Sequence, residues 1–77
     1  MQQNYILTIR DMFSMIKGEQ HGAETEVTIL DNGVEVDRIR FRGKSKQYQR
    51  HYSGKPGLSA VIASGPGAIT MASALFV

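Results

Sequence analysis

The dipeptide Asn32-Gly33 is the feature that most limits how this chain can fold. It lies between two strand-like runs, residues 24–31 and 34–42. A type I′ turn needs positive φ at both central residues, and Asn followed by Gly tolerates that conformation best. We therefore predict a central β-hairpin, with Asp31 paired to Val34 and Ile29 paired to Val36.

The apolar residues of this hairpin share one face only if its second strand contains an extra residue. In an unbroken register Val27 would pair with an arginine, and Ile39 would face away from the core. A one-residue β-bulge near Asp37 restores the pattern, because Val27 then pairs with Ile39 and Thr25 with Phe41.

The opposite face of the same hairpin pairs acidic residues with arginines. Beyond the bulge, Glu26 lies opposite Arg40 and Glu24 lies opposite Arg42. Cross-strand pairs of opposite charge contribute about 0.2–1 kcal/mol each, and they partly neutralise the arginines. The sequence leaves open whether the arginines are paired with these two carboxylates or free.

The segment before the hairpin has apolar residues at helical spacing. Gly18 follows this stripe, and Lys17 occupies the predicted last turn. The pattern predicts an amphipathic helix over residues 4–17. The alternative is a short strand over residues 5–9 and a helix that begins at Asp11. The apolar stripe consists of Tyr5, Ile9, Met12, Phe13 and Ile16.

A third strand is predicted after the hairpin. Gly43 begins a turn, and the polar and apolar residues of 46–52 then alternate. Neither face of this strand is apolar enough for the centre of a sheet. We therefore expect it at a sheet edge, half exposed.

The C-terminal part of the chain has no charged residue from position 57 onward. Pro56 suits the first turn of a helix, Gly65-Pro66-Gly67 would end it, and a second short helix is predicted over residues 68–76. The alternative is a hairpin of residues 59–63 and 69–75 that turns at Gly65-Pro66-Gly67.

Together these elements predict one α+β domain over residues 1–77. It consists of an N-terminal helix, a three-stranded antiparallel β-meander and one or two short C-terminal helices, or a C-terminal hairpin as the alternative. A chain of 77 residues has a small core, so a homo-oligomer is compatible with it. The predicted core residues are Ile6, Ile9, Phe13, Ile16, Val27, Ile29, Val36, Ile39, Phe41, Leu58, Val61, Ile62, Ile69 and Leu75.

The sequence contains no arrangement typical of an enzyme. It has no cysteine, and its two histidines, His21 and His51, are far apart along the chain. Gly43-Lys44-Ser45 is similar to the end of a phosphate-binding loop, but Arg38 occupies the position of the required glycine. We therefore expect no catalytic residue, metal ligand, cofactor or small-molecule substrate.

Composition also bears on location. A small secreted domain usually needs disulfides, and the first residues lack the basic and apolar segments of a signal peptide. The uncharged C-terminal stretch is interrupted by Gly65-Pro66-Gly67 and rich in small residues, which disfavours insertion into a membrane. We expect a cytoplasmic protein.

The basic residues are concentrated in one region. Seven of the nine Lys and Arg residues lie between positions 38 and 55. Such side chains neutralise phosphates, and exposed tyrosines stack on unpaired bases. The leading prediction is non-catalytic binding of RNA or DNA, or of a complex that contains it. The predicted phosphate contacts are Arg38, Arg40, Arg42, Lys44, Lys46 and Arg50, and the predicted stacking residues are Tyr48 and Tyr52.

The second prediction is a protein-binding module. An exposed edge strand can add to another sheet, and Met12, Phe13 and Met15 with the uncharged C-terminal segment could form an apolar docking face. By analogy with other small proteins, this alternative includes an inhibitor of a larger nucleic-acid-processing enzyme in the host, of the kind that phages or plasmids encode.

Overall fold

A computed structural model describes residues 2–74 of the chain, and it contains strands and turns without any helix. Six strands form two three-stranded antiparallel sheets, ordered β6-β1-β8 and β5-β4-β7, while β2 and β3 form a separate hairpin. The predicted α+β class is therefore wrong, and the described part of the chain is all-β. The strands are β1 (Gln3–Met12), β2 (Ser14–Ile16), β3 (Glu19–His21), β4 (Ala23–Asp31), β5 (Val34–Gly43), β6 (Ser45–Gly54), β7 (Leu58–Ser64) and β8 (Ala68–Ser73).

One apolar core lies between the two sheets. Leu7 and Ile9 of β1 and Val27 and Ile29 of β4 have no exposed surface. Alternate residues of a strand point to opposite faces, so each central strand directs every second side chain into this core. Residues of the other strands complete it: Met12, Ile39 and Phe41 are buried, and Tyr52, Leu58, Ala60, Ile62, Ile69 and Met71 pack against them.

The N-terminal helix predicted over residues 4–17 is wrong, because this segment forms β1 and β2. The strand that the alternative placed at residues 5–9 is present and longer, but no helix begins at Asp11. Asp11 instead has a φ of 56°, which ends the regular alternation of β1. Lys17 and Gly18 have φ values of 51° and 80°, so they form the turn of the β2–β3 hairpin and not a helix end.

The central hairpin is confirmed. Asn32 and Gly33 have φ values of 51° and 83°, as a type I′ turn requires. The register shifts once between Ile29 and Leu30, and beyond it the predicted pairs of Val27 with Ile39, Thr25 with Phe41, Glu26 with Arg40 and Glu24 with Arg42 are all present. One predicted pair is wrong. Ile29 pairs with Asp37, because the extra residue of the bulge is Val36, which is 51% exposed.

The predicted third strand exists as β6, and it lies at a sheet edge as expected. The β-meander is nevertheless wrong, because β6 pairs with β1 and not with β5. Gly43 still pairs with Ala23 in one sheet, and Ser45 already pairs with Met12 in the other. Lys44 alone therefore crosses between the sheets.

The predicted C-terminal helices are also wrong. Residues 58–64 and 68–73 are strands, as in the alternative, but they do not form a hydrogen-bonded hairpin. β7 pairs with β4 and β8 pairs with β1, so Gly65-Pro66-Gly67 carries the chain from one sheet to the other. Residues 2–74 include no helix long and apolar enough to cross a membrane.

The predicted core is partly confirmed. Five of its residues are buried, namely Ile9, Val27, Ile29, Ile39 and Phe41. Leu58, Ile62 and Ile69 are partly buried against the core, whereas Ile6 and Phe13 are partly buried outside it. Exposure shows that the prediction was wrong for Ile16, Val36 and Val61. Leu75 lies outside the described residues. Sequence reasoning did not place Tyr5, Leu7 and Met12 in the core, and all three are buried.

We expect substitution of Gly65 by Ala to destabilise the protein most among three matched glycine variants. Gly65 has a φ of 92°, and a Cβ there would lie 2.8 Å from the Cα of Thr25. Left-handed strain of about 1–2 kcal/mol and overpacking of about 1–3 kcal/mol then act together. Gly33→Ala has only the φ strain, since no atom lies within 4 Å of its Cβ.

Gly22→Ala is the control, because its Cβ would meet Gly43 at an ordinary 3.7 Å. Urea unfolding of the three variants and the wild type measures the change in the free energy of unfolding that each substitution causes. If Gly65→Ala lowered the free energy of unfolding no more than Gly22→Ala does, the result would contradict the described crossing at Gly65-Pro66-Gly67.

Candidate binding site between β5 and β6

Six charged side chains form an ion-pair ladder on the outer face of β4 and β5. Glu26 receives hydrogen bonds from Arg38 at 2.6 Å and from Arg40 at 3.2 Å. The strand pairing explains the contacts, because Glu26 stands directly opposite Arg40 and diagonally from Arg38. The members of the ladder are Glu24, Glu26, Glu35, Arg38, Arg40 and Arg42.

The outer two carboxylates complete the ladder. Glu24 lies 3.1 Å from Nε of Arg40 and 2.8 Å from Nη2 of Arg42. Glu35 lies 2.7 Å from Nη2 of Arg38. Three guanidinium groups thus face three carboxylates, and the formal charge of the ladder is zero.

The ladder alters the ionisation of its own members. The hydrogen bond from Arg40, reinforced by Arg38, lowers the pKa of the Glu26 carboxyl below 4.5, its ordinary value. Hydrogen bonds to Glu35 and Glu26 raise the pKa of Arg38. Three of the six predicted phosphate contacts are therefore engaged by carboxylates of the same chain.

Tyr52 is also engaged within the protein. Its hydroxyl donates a hydrogen bond of 2.8 Å to Oδ2 of Asp37, which joins the two sheets. Burial of the ring, together with Asp37, raises the pKa of Tyr52 to about 12. The structure places this tyrosine against the core rather than on an open surface.

A cavity of about 340 Å³ lies where β5 passes into β6. We call it the groove. The rings of Phe41 and Tyr48 meet edge to face on its wall, with centroids 5.8 Å apart, and Tyr48 is 49% exposed. Every ionisable group in its lining except the tyrosine hydroxyl is cationic. The lining residues are Met12, Arg40, Phe41, Arg42, Gly43, Lys44, Ser45, Tyr48 and Arg50.

The groove exists because the core is open between β5 and β6. Tyr48 and Arg50 stand opposite Ile9 and Leu7 of β1, on the face of the sheet that is turned toward the core. Arg50 is nevertheless exposed. β5 and β6 are the edge strands of different sheets, and neither is hydrogen-bonded to the other.

Three cations near the groove differ from those of the ladder. Lys44, Lys46 and Arg50 form no ion pair with any residue in the described range 2–74. Lys46 precedes Tyr48 on the same face of β6, since side chains alternate along a strand. We call these three residues the unpaired cations.

The predicted site residues thus fall into two groups. Lys44, Tyr48 and Arg50 meet at the groove, whereas Lys46 lies on β6 outside the lining. Arg38 and Tyr52 lie outside its lining. Arg40 and Arg42 belong to the lining, but their guanidinium groups are paired with Glu24 and Glu26. Sequence reasoning missed Glu35, although the predicted bulge contained the signal, because an extra residue at position 36 brings Glu35 toward Arg38.

No arrangement for metal binding is found between residues 2 and 74. There, no group of three or more histidine, aspartate or glutamate residues could hold an ion. His21 lies 3.9 Å from Glu19 within β3. Searched against models of protein families, the chain matches none, and no curated protein or solved structure is significantly similar to it.

The pH dependence of folding gives a test of the ladder. Because the pKa of Glu26 is lowered in the folded state, its contribution is fully present above pH 4.5, the ordinary value, and is lost as pH falls through the folded pKa. Glu26→Gln is expected to lower the urea midpoint of unfolding at pH 7. At low pH the midpoint of this variant should approach that of the wild type. Glu19→Gln, at a carboxyl 81% exposed, is the control with little effect. Equal effects of both variants at pH 7 would contradict the ladder's role.

The contact between Tyr52 and Asp37 gives a second test. The absorbance of the Tyr52 phenolate at 295 nm is expected to rise only near pH 12. Since the neutral tyrosine is favoured in the folded state, stability is lost as pH rises toward that value. Asp37→Asn is expected to move the midpoint part of the way back toward 10, because burial remains. Tyr52→Phe removes the absorbance change that belongs to Tyr52 and so identifies it. A titration midpoint of Tyr52 already near pH 10 in the wild type would contradict the contact with Asp37.

Proposed function

We propose that this protein is a non-enzymatic binding module that docks an extended acidic segment of another protein beside the groove. One observation carries the proposal: two edge strands with free backbone groups flank a cavity whose charged residues are all cations. An extended peptide can pair with such an edge, and side chains beside the edge determine which peptide is accepted.

The charge distribution supports an acidic partner. The ladder is neutral, and Lys55 is paired with Asp31 at the opposite end of the sheets. The unpaired cations therefore dominate the field on the β5–β6 side. Complementary charge steers a partner to a surface and discriminates against partners of the wrong sign.

Binding of RNA or DNA stays a prediction with narrower support. It rests now on the unpaired cations and Tyr48, because Arg38, Arg40 and Arg42 are neutralised by the ladder and Tyr52 is hydrogen-bonded to Asp37. A peptide strand can pair with both the N–H and the C=O groups of a strand edge, whereas the phosphates of a nucleic acid can use only the N–H groups. The contacts therefore favour a protein partner.

The proposed location is the cytoplasm, since the chain has no cysteine and relies on no disulfide. A larger nucleic-acid-processing enzyme as the partner stays a prediction. The chemistry proposed here specifies only that the docked segment is extended and acidic.

Binding of labelled ligands tests the proposal. We expect fluorescence anisotropy to detect an acidic peptide of about ten residues, and to detect neither a neutral peptide nor mixed-sequence single-stranded DNA and RNA at the same concentration. Arg50→Glu is expected to weaken acidic-peptide binding about tenfold or more, which corresponds to about 1.4 kcal/mol.

Arg10→Glu is the matched control. It makes the same change in net charge at an exposed position on the other face of β1, and it should leave affinity nearly unchanged. Two results would overturn the proposal: oligonucleotides that bind more tightly than the acidic peptide, or an acidic peptide that fails to bind the wild type.

A further inference from the structure

We infer that the ligand adds to the free edge of β6 as a β-strand, with acidic residues opposite Lys46 and Arg50 and an apolar residue opposite Tyr48. This inference rests on the proposed function and deepens it. It names the edge, the register and the residue pattern of the ligand: acidic, any, apolar, any, acidic.

β6 is the edge best suited to strand addition. It spans ten residues, Ser45–Gly54, and pairs with β1 without a register shift. It contains no proline and no residue with positive φ. β5 has an equally long edge, but the bulge at Val36 interrupts it. Long, regular edges without bulges are the ones to which another strand adds.

The side chains of β6 set the pattern. Tyr48 and Arg50 line the groove, and strand alternation assigns Lys46, two residues before Tyr48, to the same face of β6. Gln49 points to the other face and donates a hydrogen bond to Thr8. Residues directly opposite each other on paired strands have Cβ atoms about 4.5–5.5 Å apart. A ligand strand therefore places its residues i, i+2 and i+4 against a cation, an aromatic ring and a cation.

The same charges disfavour pairing of two β6 edges in the register centred on Tyr48. If two β6 edges met antiparallel about Tyr48, Lys46 of one copy would lie opposite Arg50 of the other. Like charges directly opposite destabilise a strand pair. In this register the edge disfavours a second copy of β6 and favours an acidic strand, so repulsion and attraction both contribute to specificity.

The first experiment separates pattern from charge. The peptide Thr-Glu-Thr-Val-Thr-Glu-Thr matches the pattern, and a peptide of the same composition with adjacent glutamates does not. We expect the matching peptide to bind the wild type at least tenfold more tightly. In the variant with Lys46→Glu and Arg50→Glu, preference is expected to switch to Thr-Lys-Thr-Val-Thr-Lys-Thr. Both substitutions are at exposed positions, and circular dichroism checks that the fold persists.

The second experiment separates strand pairing from any other mode of contact. In an added strand, alternate backbone N–H groups point toward the partner edge. Two versions of the matching peptide, N-methylated at odd or at even positions, are therefore expected to differ at least tenfold in affinity. Backbone amides of β6 should also exchange more slowly with solvent when the unmethylated peptide is bound.

The outcomes distinguish this inference from the proposed function. Equal binding of the matching peptide, its scramble and both methylated versions would overturn strand addition while leaving an acidic ligand in place. Failure of these peptides and of the longer acidic peptide would overturn both. Oligonucleotides that compete the matching peptide away at equal concentration would count against the peptide site itself.

Discussion

The packing of Leu7 and Ile9 from β1 with Val27 and Ile29 from β4 holds the two sheets together. None of the four side chains has exposed surface, and full burial of such a residue contributes about 1.5–3 kcal/mol relative to exposure. Their backbone groups are buried with them, so β1 and β4 need a strand on each side. The other four long strands fulfil that need and become edges. A small core between two central strands thus fixes the sheet orders and leaves β5 and β6 with one free edge each.

The same alternation that fills the core builds the charged outer face. Val27 and its neighbours at odd positions of β4 point inward, so Glu24 and Glu26 point outward beside the arginines of β5. The ladder is a consequence of the hairpin register, and it pairs Arg38, Arg40 and Arg42 with carboxylates. These are three of the six basic residues that were predicted to contact phosphates. The run continues into β6, where Tyr48 and Arg50 lie opposite Ile9 and Leu7 of β1 rather than opposite carboxylates. Within β5 and β6, position relative to the crossing at Lys44 therefore separates the cations of the ladder from the unpaired cations.

Local signals explain which parts of the fold could be predicted from the sequence. The turn at Asn32-Gly33, the bulge and the acid–arginine pairs all depend on residues close together in the chain, and these predictions are confirmed. The segment before the hairpin carries two periodicities at once, and its helical spacing concealed the alternation of Tyr5, Leu7 and Ile9. What favours the strand is pairing with residues such as Gly54, which stands opposite Gln3. Pairing with residues so far away in the sequence cannot be recognised from the local pattern of apolar and polar residues.

The candidate site depends on that non-local pairing too. The sequence located the basic and aromatic residues but assigned β6 to the same sheet as β5, where the run would form one continuous platform. Because only Lys44 separates Gly43 in one sheet from Ser45 in the other, the two strands cannot lie side by side as the strands at Asn32-Gly33 do. They belong instead to sheets that pack face to face, about 10 Å apart in typical sandwiches. A crossing this short converts a predicted flat surface into an open-sided groove, and with it the ligand that we propose changes from a polyanion on a platform to a strand at an edge.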